Sequence, residues 1–270
     1  MKKIIYFLFL TWLNEASSAI FLHDTAHACK NLDKNVIQQK TEVCLEWGNS
    51  LLNSPDAPID LIKEAAIANM FVAENIVKTN LPNGNKHFLQ AWDLAQKSND
   101  SFIITMVAAN YGVMLNSNNQ FSQTLKISPI AIKAAKEISQ EPNKSFLTFR
   151  LMNNYADGLR LNKQFAEAKP IYQWLINASK RTLEPDVFAV LLNNWAICLE
   201  KTNELDKANA VYLEANKLVK DSSSANAEQI RQNYSGFLAE NGLSTYQDKA
   251  SFVSIVEGGI KLPEDILTGN

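Results

Sequence analysis

LMNNYADGLRLNKQFAEAKPIYQWL, residues 151–175, aligns without a gap with LLNNWAICLEKTNELDKANAVYLEA, residues 191–215, at an offset of 40 residues. The identical positions are Leu151/Leu191, Asn153/Asn193, Asn154/Asn194, Ala156/Ala196, Leu159/Leu199, Ala168/Ala208 and Tyr172/Tyr212. A fixed period of this length in helical sequence is typical of stacked helix pairs. Short polar turns between the helices make neighbours antiparallel. The repeat therefore predicts an all-α fold, an α-solenoid of antiparallel helix pairs.

The second asparagine of this doubled stretch recurs at intervals of 41, 44, 40 and 39 residues. We call the set the ladder asparagines: Asn69, Asn110, Asn154, Asn194 and Asn233. Each precedes a large residue: Met70, Tyr111, Tyr155, Trp195 and Tyr234. The series predicts about five helix pairs over residues 59–246. We expect each large residue to pack into the groove of its own pair.

Two copies depart from the regular pattern. Residues 81–85 (LPNGN) are expected to form a longer loop after the first copy. The second copy is 44 residues long, and its extra residues are expected near Ser128 and Pro129. These two residues have the pattern of an N-cap followed by proline at the first helical position.

The residues MNNYA and LNNWA, then AEAKPIYQWL, then LEPDVFA resemble the tetratricopeptide repeat family, and especially the longer repeats of kinesin light chains. The resemblance is specific over residues 143–220. It is weaker over 59–142 and 221–246, and it is absent before residue 59. It implies a right-handed array whose concave groove binds an extended peptide.

The first nineteen residues have the three parts of a secretory signal peptide. Lys2 and Lys3 are followed by an apolar stretch, Ile4–Leu13, and then by the small residues Ser17–Ala19. The apolar stretch is about half of the roughly 20 residues that a membrane-spanning helix needs, so a membrane anchor is the weaker alternative. We expect cleavage after residue 19 and export to the periplasm or beyond the cell, with no membrane span in the mature chain.

The remaining segments flank the array. Residues 20–58 are expected to form an N-terminal helical segment that ends at Pro55 and Pro58. Residues 247–270 are expected to form a C-terminal capping helix and tail. The formal net charge of −2 gives no electrostatic footprint for nucleic acid.

Two clusters of metal-binding or redox residue types lie before the array. His23 and His27 are spaced i and i+4, so on a helix they could contact one metal ion. This pair supports an alternative reading as an exported metal protein or enzyme. Cys29 and Cys44 could form a disulfide only if the chain turns between them, because one straight helix would separate them by roughly 22 Å. Cys198, inside a repeat, is expected to be a buried thiol.

No phosphate-binding loop and no nucleophile motif occurs in the sequence, so we expect a non-enzymatic protein without a cofactor. In helical arrays the first helices line a concave groove. An asparagine amide there can donate to and accept from a peptide backbone, although it can also bond within its own repeat. The predicted protein- or peptide-binding residues are Asn69, Asn110, Asn153, Asn154, Asp157, Arg160, Asn193, Asn194, Ile197, Glu200 and Asn233. A structural subunit of a self-assembled complex is a further alternative, and the oligomeric state stays open.

Overall fold

A computed structural model describes residues 34–138, 145–179 and 183–243. Over these residues the chain is all-α, with ten helices and no strand. The helices are α1 Lys34–Asn53, α2 Ile59–Ile76, α3 Leu81–Ser98, α4 Ser101–Ser117, α5 Phe121–Ile138, α6 Ser145–Leu161, α7 Phe165–Ser179, α8 Pro185–Lys201, α9 Leu205–Leu218 and α10 Ala225–Asn241. None of these helices is long and apolar enough to cross a membrane.

The helices belong to two compact units. The N-terminal unit contains α1 to α4 and residues 126–151, and the C-terminal unit contains residues 119–125 and the chain from Met152 onward. In the N-terminal unit α1 packs on α2 and α3, α2 packs on α3 and α4, and α3 packs on α4. In the C-terminal unit α7 packs on α8, and α8, α9 and α10 pack on one another. Within each unit, successive helices therefore pack as in an α-solenoid.

Aromatic side chains join the end of one helix pair to the start of the next. Tyr111 of α4 stacks on Phe88 of α3, with ring centroids 5.3 Å apart. Tyr234 of α10 stacks in the same way on Tyr212 of α9, at 6.0 Å. The prediction that each large residue packs inside its own pair did not include this contact of Tyr111 and Tyr234 with the preceding pair. The spacing placed each ring on the buried face, but it did not show which neighbour the ring would meet.

The turns inside the C-terminal unit share one backbone conformation. Asn119, Lys163, Asn203 and Gly242 have φ between 60° and 64°, and each follows a ladder asparagine by nine residues. After Lys163 the next N–H donates back to the carbonyl of Leu159 at 2.8 Å. Bonds of this kind satisfy the last carbonyls of a helix and end it sharply. The repeat therefore fixes the turns as well as the helices.

Residues 81–85 do not form the predicted loop. They are the first turn of α3, because the side chain of Asn80 accepts a hydrogen bond from the N–H of Asn83 at 3.2 Å and caps the helix. Pro82 fits there because the first turn of a helix has no use for its N–H. Gly84 is also required, since a Cβ there would lie 2.7 Å from Cα of Val77.

Ser128 and Pro129 do not begin a helix either. Pro129 lies inside α5, which starts at Phe121, and Ser128 is buried at 1% exposure. Helix α5 has 18 residues, whereas α7 has 15 and α9 has 14. Part of the extra length of this copy is therefore helical. A proline inside a helix removes one backbone donor but does not have to end the helix.

Helix α1 is held by side chains of the first helix pair. Nζ of Lys97 donates to three carbonyls at the end of α1, at 2.6–2.9 Å, namely those of Leu51, Leu52 and Ser54. Nε2 of Gln90 donates to the carbonyl of Leu45 at 2.8 Å. The last carbonyls of a helix have no partner within it, so Lys97 satisfies groups that would otherwise need water.

Candidate functional site

The ladder asparagines occupy equivalent places in the structure. Each lies on the first helix of a pair, on α2, α4, α6, α8 or α10. Four of them are buried, with exposures of 0% for Asn69, 8% for Asn110, 3% for Asn154 and 8% for Asn194. Asn233 is half-buried. Buried amides in proteins are normally hydrogen-bonded, so the partners of each one decide what it can do.

In the C-terminal unit, asparagine amides form a chain across three first helices. Gln229 donates to Oδ1 of Asn233 at 2.9 Å, and Asn233 donates to Oδ1 of Asn193 at 2.9 Å. Asn193 donates to Oδ1 of Asn194 at 3.4 Å, and Asn194 donates to Oδ1 of Asp157 at 3.1 Å. The chain therefore runs from α10 through α8 to α6, and it fixes the orientation of every amide in it.

Asp157 receives this chain on α6 and is itself buried at 8% exposure. It also accepts from the hydroxyl of Tyr172 at 2.5 Å and from Nη2 of Arg160 at 3.2 Å. Burial, together with the carboxylate of Asp157, raises the pKa of Tyr172 well above its usual value. Tyr172 therefore stays protonated and acts as a donor. Three donors, from Arg160, Tyr172 and Asn194, therefore converge on one oxygen of the Asp157 carboxylate, Oδ1.

The next pair carries a related arrangement 40 residues later. The hydroxyl of Tyr212 donates to Oε2 of Glu200 at 2.8 Å, where the preceding pair has Tyr172 against Arg160. Burial and the Glu200 carboxylate raise the pKa of Tyr212, which keeps this hydroxyl protonated. The tyrosines of α7 and α9 thus each bond a charged residue of the preceding first helix. The sequence showed the repeated tyrosines but not this partner.

Other predicted residues on the first helices of the C-terminal unit are more accessible. Asn153 and Ile197 are half-buried, as is Asn233. Ile197 takes the place that Asp157 has one repeat earlier. On α10 the corresponding place is Gly236, which is exposed, and a Cβ there would meet no atom within 4 Å. The face therefore becomes more open from α6 to α10.

In the N-terminal unit the first ladder residue is committed to neighbouring helices. Nδ2 of Asn69 donates to the carbonyls of Ala65 at 3.0 Å and Cys44 at 3.3 Å, and its Oδ1 lies 2.7 Å from Nδ1 of His87. A carbonyl oxygen only accepts, so Nδ1 of His87 carries the proton. Nδ2 of Asn110 lies 3.1 Å from the sulfur of Met70. The role of His87 was not predicted, because it has no counterpart in other copies.

Several predicted features fall outside the described residues. They are the signal peptide at 1–19, the His23 and His27 pair, Cys29 and the capping segment at 247–270. The possible disulfide between Cys29 and Cys44 therefore stays a prediction. Within the described parts of the chain, no group of three or more His, Cys, Asp or Glu side chains is placed to hold a metal ion. Neither a protein-family model, nor a curated protein, nor a solved structure matches this chain.

Proposed function

We propose that this chain is a non-enzymatic scaffold that binds a protein or an extended peptide on the first helices of its C-terminal unit. The observation that carries the proposal is the hydrogen-bonded chain from Asn233 through Asn193 and Asn194 to Asp157. A binding site needs groups whose orientation is fixed before the ligand arrives. Along this row of hydrogen bonds, each asparagine amide is bonded to the next. Its remaining hydrogen-bonding groups therefore point in defined directions.

The valence of the amide supports a peptide ligand. Each of Asn193, Asn194 and Asn233 uses one N–H and one carbonyl lone pair in the chain. A primary amide has two N–H groups and two lone pairs. Each therefore retains the capacity for one more donor and one more acceptor bond, which is the pattern that a peptide group requires. Ile197 adds an apolar contact beside this polar line.

The wider proposal rests on the sequence. The resemblance of residues 143–220 to tetratricopeptide repeats supports a peptide-binding role. The basic, apolar and small residues of the first nineteen positions support export, with the periplasm as the first expectation. N-terminal sequencing of chain recovered from the exported fraction tests this part, since retention of Met1 in that fraction would contradict cleavage.

The binding proposal is tested by selecting a displayed library of random peptides on the purified full-length chain. We expect enriched peptides to bind wild type, and Asn233→Ala to weaken them about tenfold, because one or two hydrogen bonds are lost. Asn194→Ala should weaken them more, since it also interrupts the chain. Asn177→Ala is the matched control, because Asn177 is exposed on α7, away from the ladder positions.

The outcome is read only for variants whose circular dichroism and urea midpoint match wild type. If both folded ladder variants bind the selected peptides as tightly as Asn177→Ala does, the ladder is structural and the proposal is wrong. A library that yields no enriched peptide also contradicts it. Asn233→Ala keeps the test valid if Asn194→Ala does not fold, since Asn233 is only half-buried.

A further inference from the structure

His87 of α3 lies at the junction of three helices in the N-terminal unit. Its side chain has 0% exposure. Nδ1 donates to Oδ1 of Asn69 on α2, and the amide of Asn69 donates in turn to the carbonyl of Cys44 on α1. One imidazole thus supports a hydrogen-bonded connection from α3 through α2 to α1. The ring of His87 and the backbone of α1 are therefore joined by a single amide side chain.

The second ring nitrogen of His87 has no hydrogen-bond partner among the described residues. With the proton on Nδ1, Nε2 is a lone pair enclosed by protein. Burying a lone pair without a hydrogen-bond donor costs little free energy. Burying an N–H without an acceptor, or a positive charge without a counter-charge, costs far more. Protonation of Nε2 would create both at once. The closed junction therefore accepts the neutral ring and excludes the imidazolium.

Charged groups near the junction do not compensate for this. Helix α4 carries no charged residue. The charged groups among the described side chains of α1, α2, α3 and the turn after α2 are Glu42, Glu46, Asp60, Lys63, Glu64, Glu74, Lys78, Lys86, Asp93 and Lys97. The cause of the lowered pKa of His87, about 4, is burial. Burial also raises the pKa of Glu74 and of Asp93, so the effect of these two carboxyls has to be separated from that of His87.

We propose that His87 is an acid-sensitive contact, and that protonation of its Nε2 loosens α1 from α2. The ring can take up the proton only when the junction opens and water reaches Nε2. Opening breaks the Asn69 contact with Cys44 and leaves Gln90 and Lys97 to hold α1 alone. The C-terminal unit is not affected, because its described residues contain no histidine.

The direction and size of the effect follow from linkage. The pKa of His87 in the closed state lies below the ordinary value of 6.5. The closed state is therefore most stable relative to the open state above about pH 6.5, and this stability decreases as the pH falls toward 4. Taking 6.5 for the open state and about 4 for the closed state, the opening equilibrium rises about twentyfold between pH 7 and pH 5. Most of the response therefore falls in a mildly acidic range.

Hydrogen exchange of the full-length chain tests this contact, with protection of amides in α1 and α9 compared at pH 7 and pH 5 after correction for intrinsic rates. We expect protection in α1 to fall about twentyfold and protection in α9 to stay within about twofold. The matched variant is His87→Asn, whose amide can still donate to Asn69 but does not titrate. In His87→Asn the part of the loss of α1 protection that His87 causes should disappear. Any part caused by Glu74 or Asp93 would persist in this variant.

Two results would overturn the proposal. One is equal loss of protection in α1 for wild type and for folded His87→Asn. The other is an α1 whose protection does not change between pH 7 and pH 5 in wild type. If His87→Asn does not fold, the ring protons of His87 are titrated by NMR in wild type, where a pKa near 6.5 without slowed exchange would contradict a closed junction.

Discussion

The hydroxyl of Tyr234 donates a hydrogen bond to Oδ1 of Asn209 at 3.2 Å, and an equivalent bond joins Tyr111 to Asn85 at 3.1 Å in the other unit. In both places an asparagine of a second helix accepts from the tyrosine that follows the next ladder asparagine. Trp195 occupies the same place one repeat before Tyr234, where the asparagine is replaced by Lys169. A lysine cannot accept. Nε1 of Trp195 is accordingly buried without a partner among the described residues.

The first prediction concerns this exception. Trp195→Tyr combined with Lys169→Asn recreates the pair found at Asn209 and Tyr234. We expect the two changes to be coupled favourably by about 1 kcal/mol in the free energy of unfolding, the net value of a typical hydrogen bond. Lys169→Asn also removes the ion pair of Lys169 with Glu204. The double-mutant cycle subtracts this effect, because the Lys169→Asn single variant shares it. Urea unfolding of all four proteins measures the coupling, and a value of zero would show that no bond forms.

The second prediction concerns the turn after α6. Lys163 has φ of 64°, a conformation that is unfavourable for side chains with a Cβ. Lys163→Gly should raise the free energy of unfolding by about 0.5–1 kcal/mol, whereas Lys163→Val should lower it by about 1 kcal/mol. Asn203→Gly is the matched comparison, since Asn203 has φ of 61°. Its free energy of unfolding should rise less, because asparagine tolerates this conformation better than lysine does. Equal gains at both positions would refute the argument.

The third prediction compares two helical glycines. Gly84→Ala should lower the free energy of unfolding by about 1–3 kcal/mol, because the new Cβ would lie 2.7 Å from the backbone of Val77. Gly236→Ala should raise it by about 0.5–1 kcal/mol, because alanine favours helix and space is open there. Chemical denaturation measures both. Destabilisation by Gly236→Ala would mean that the α10 face is not open.

The fourth prediction concerns Cys198, which has 0% exposure. Burial raises the pKa of its thiol to about 12, and Asp157 adds to the effect. The thiolate is the reactive form, so alkylation at pH 8 should be about a thousandfold slower in the native chain than in urea. Peptide mapping after timed treatment with iodoacetamide distinguishes Cys198 from the other cysteines. Native labelling at the urea rate would contradict a closed core at this position.

Much of the fold was predictable because the repeat encodes it directly. The period placed the ladder asparagines on successive first helices, and the pairs Ala168 with Tyr172 and Ala208 with Tyr212 identified the buried face of the second helices. Trp195 and Cys198 were also expected to be buried, and the structure confirms both. These features depend on local spacing, which a sequence contains in full.

The sequence was insufficient where one specific side-chain contact decides between alternatives. LPNGN has the composition of a loop, but capping by Asn80 makes it the start of α3. The partner of Tyr111 depends on how one pair stacks on the next, and spacing within a pair cannot show this. The bond between His87 and Asn69 joins two helices and occurs once in the chain. A repeat pattern cannot reveal an interaction that does not repeat.

Asn69, Gln90 and Lys97 all donate to carbonyl oxygens of α1. Every residue supplies a carbonyl, so the contacts at Cys44 and Leu45 do not depend on the identity of those two side chains. Gly48 is an exception, because a Cβ there would lie 2.5 Å from the amide of Gln90. The attachment of α1 should therefore tolerate substitution at Cys44 and Leu45 better than at Gly48.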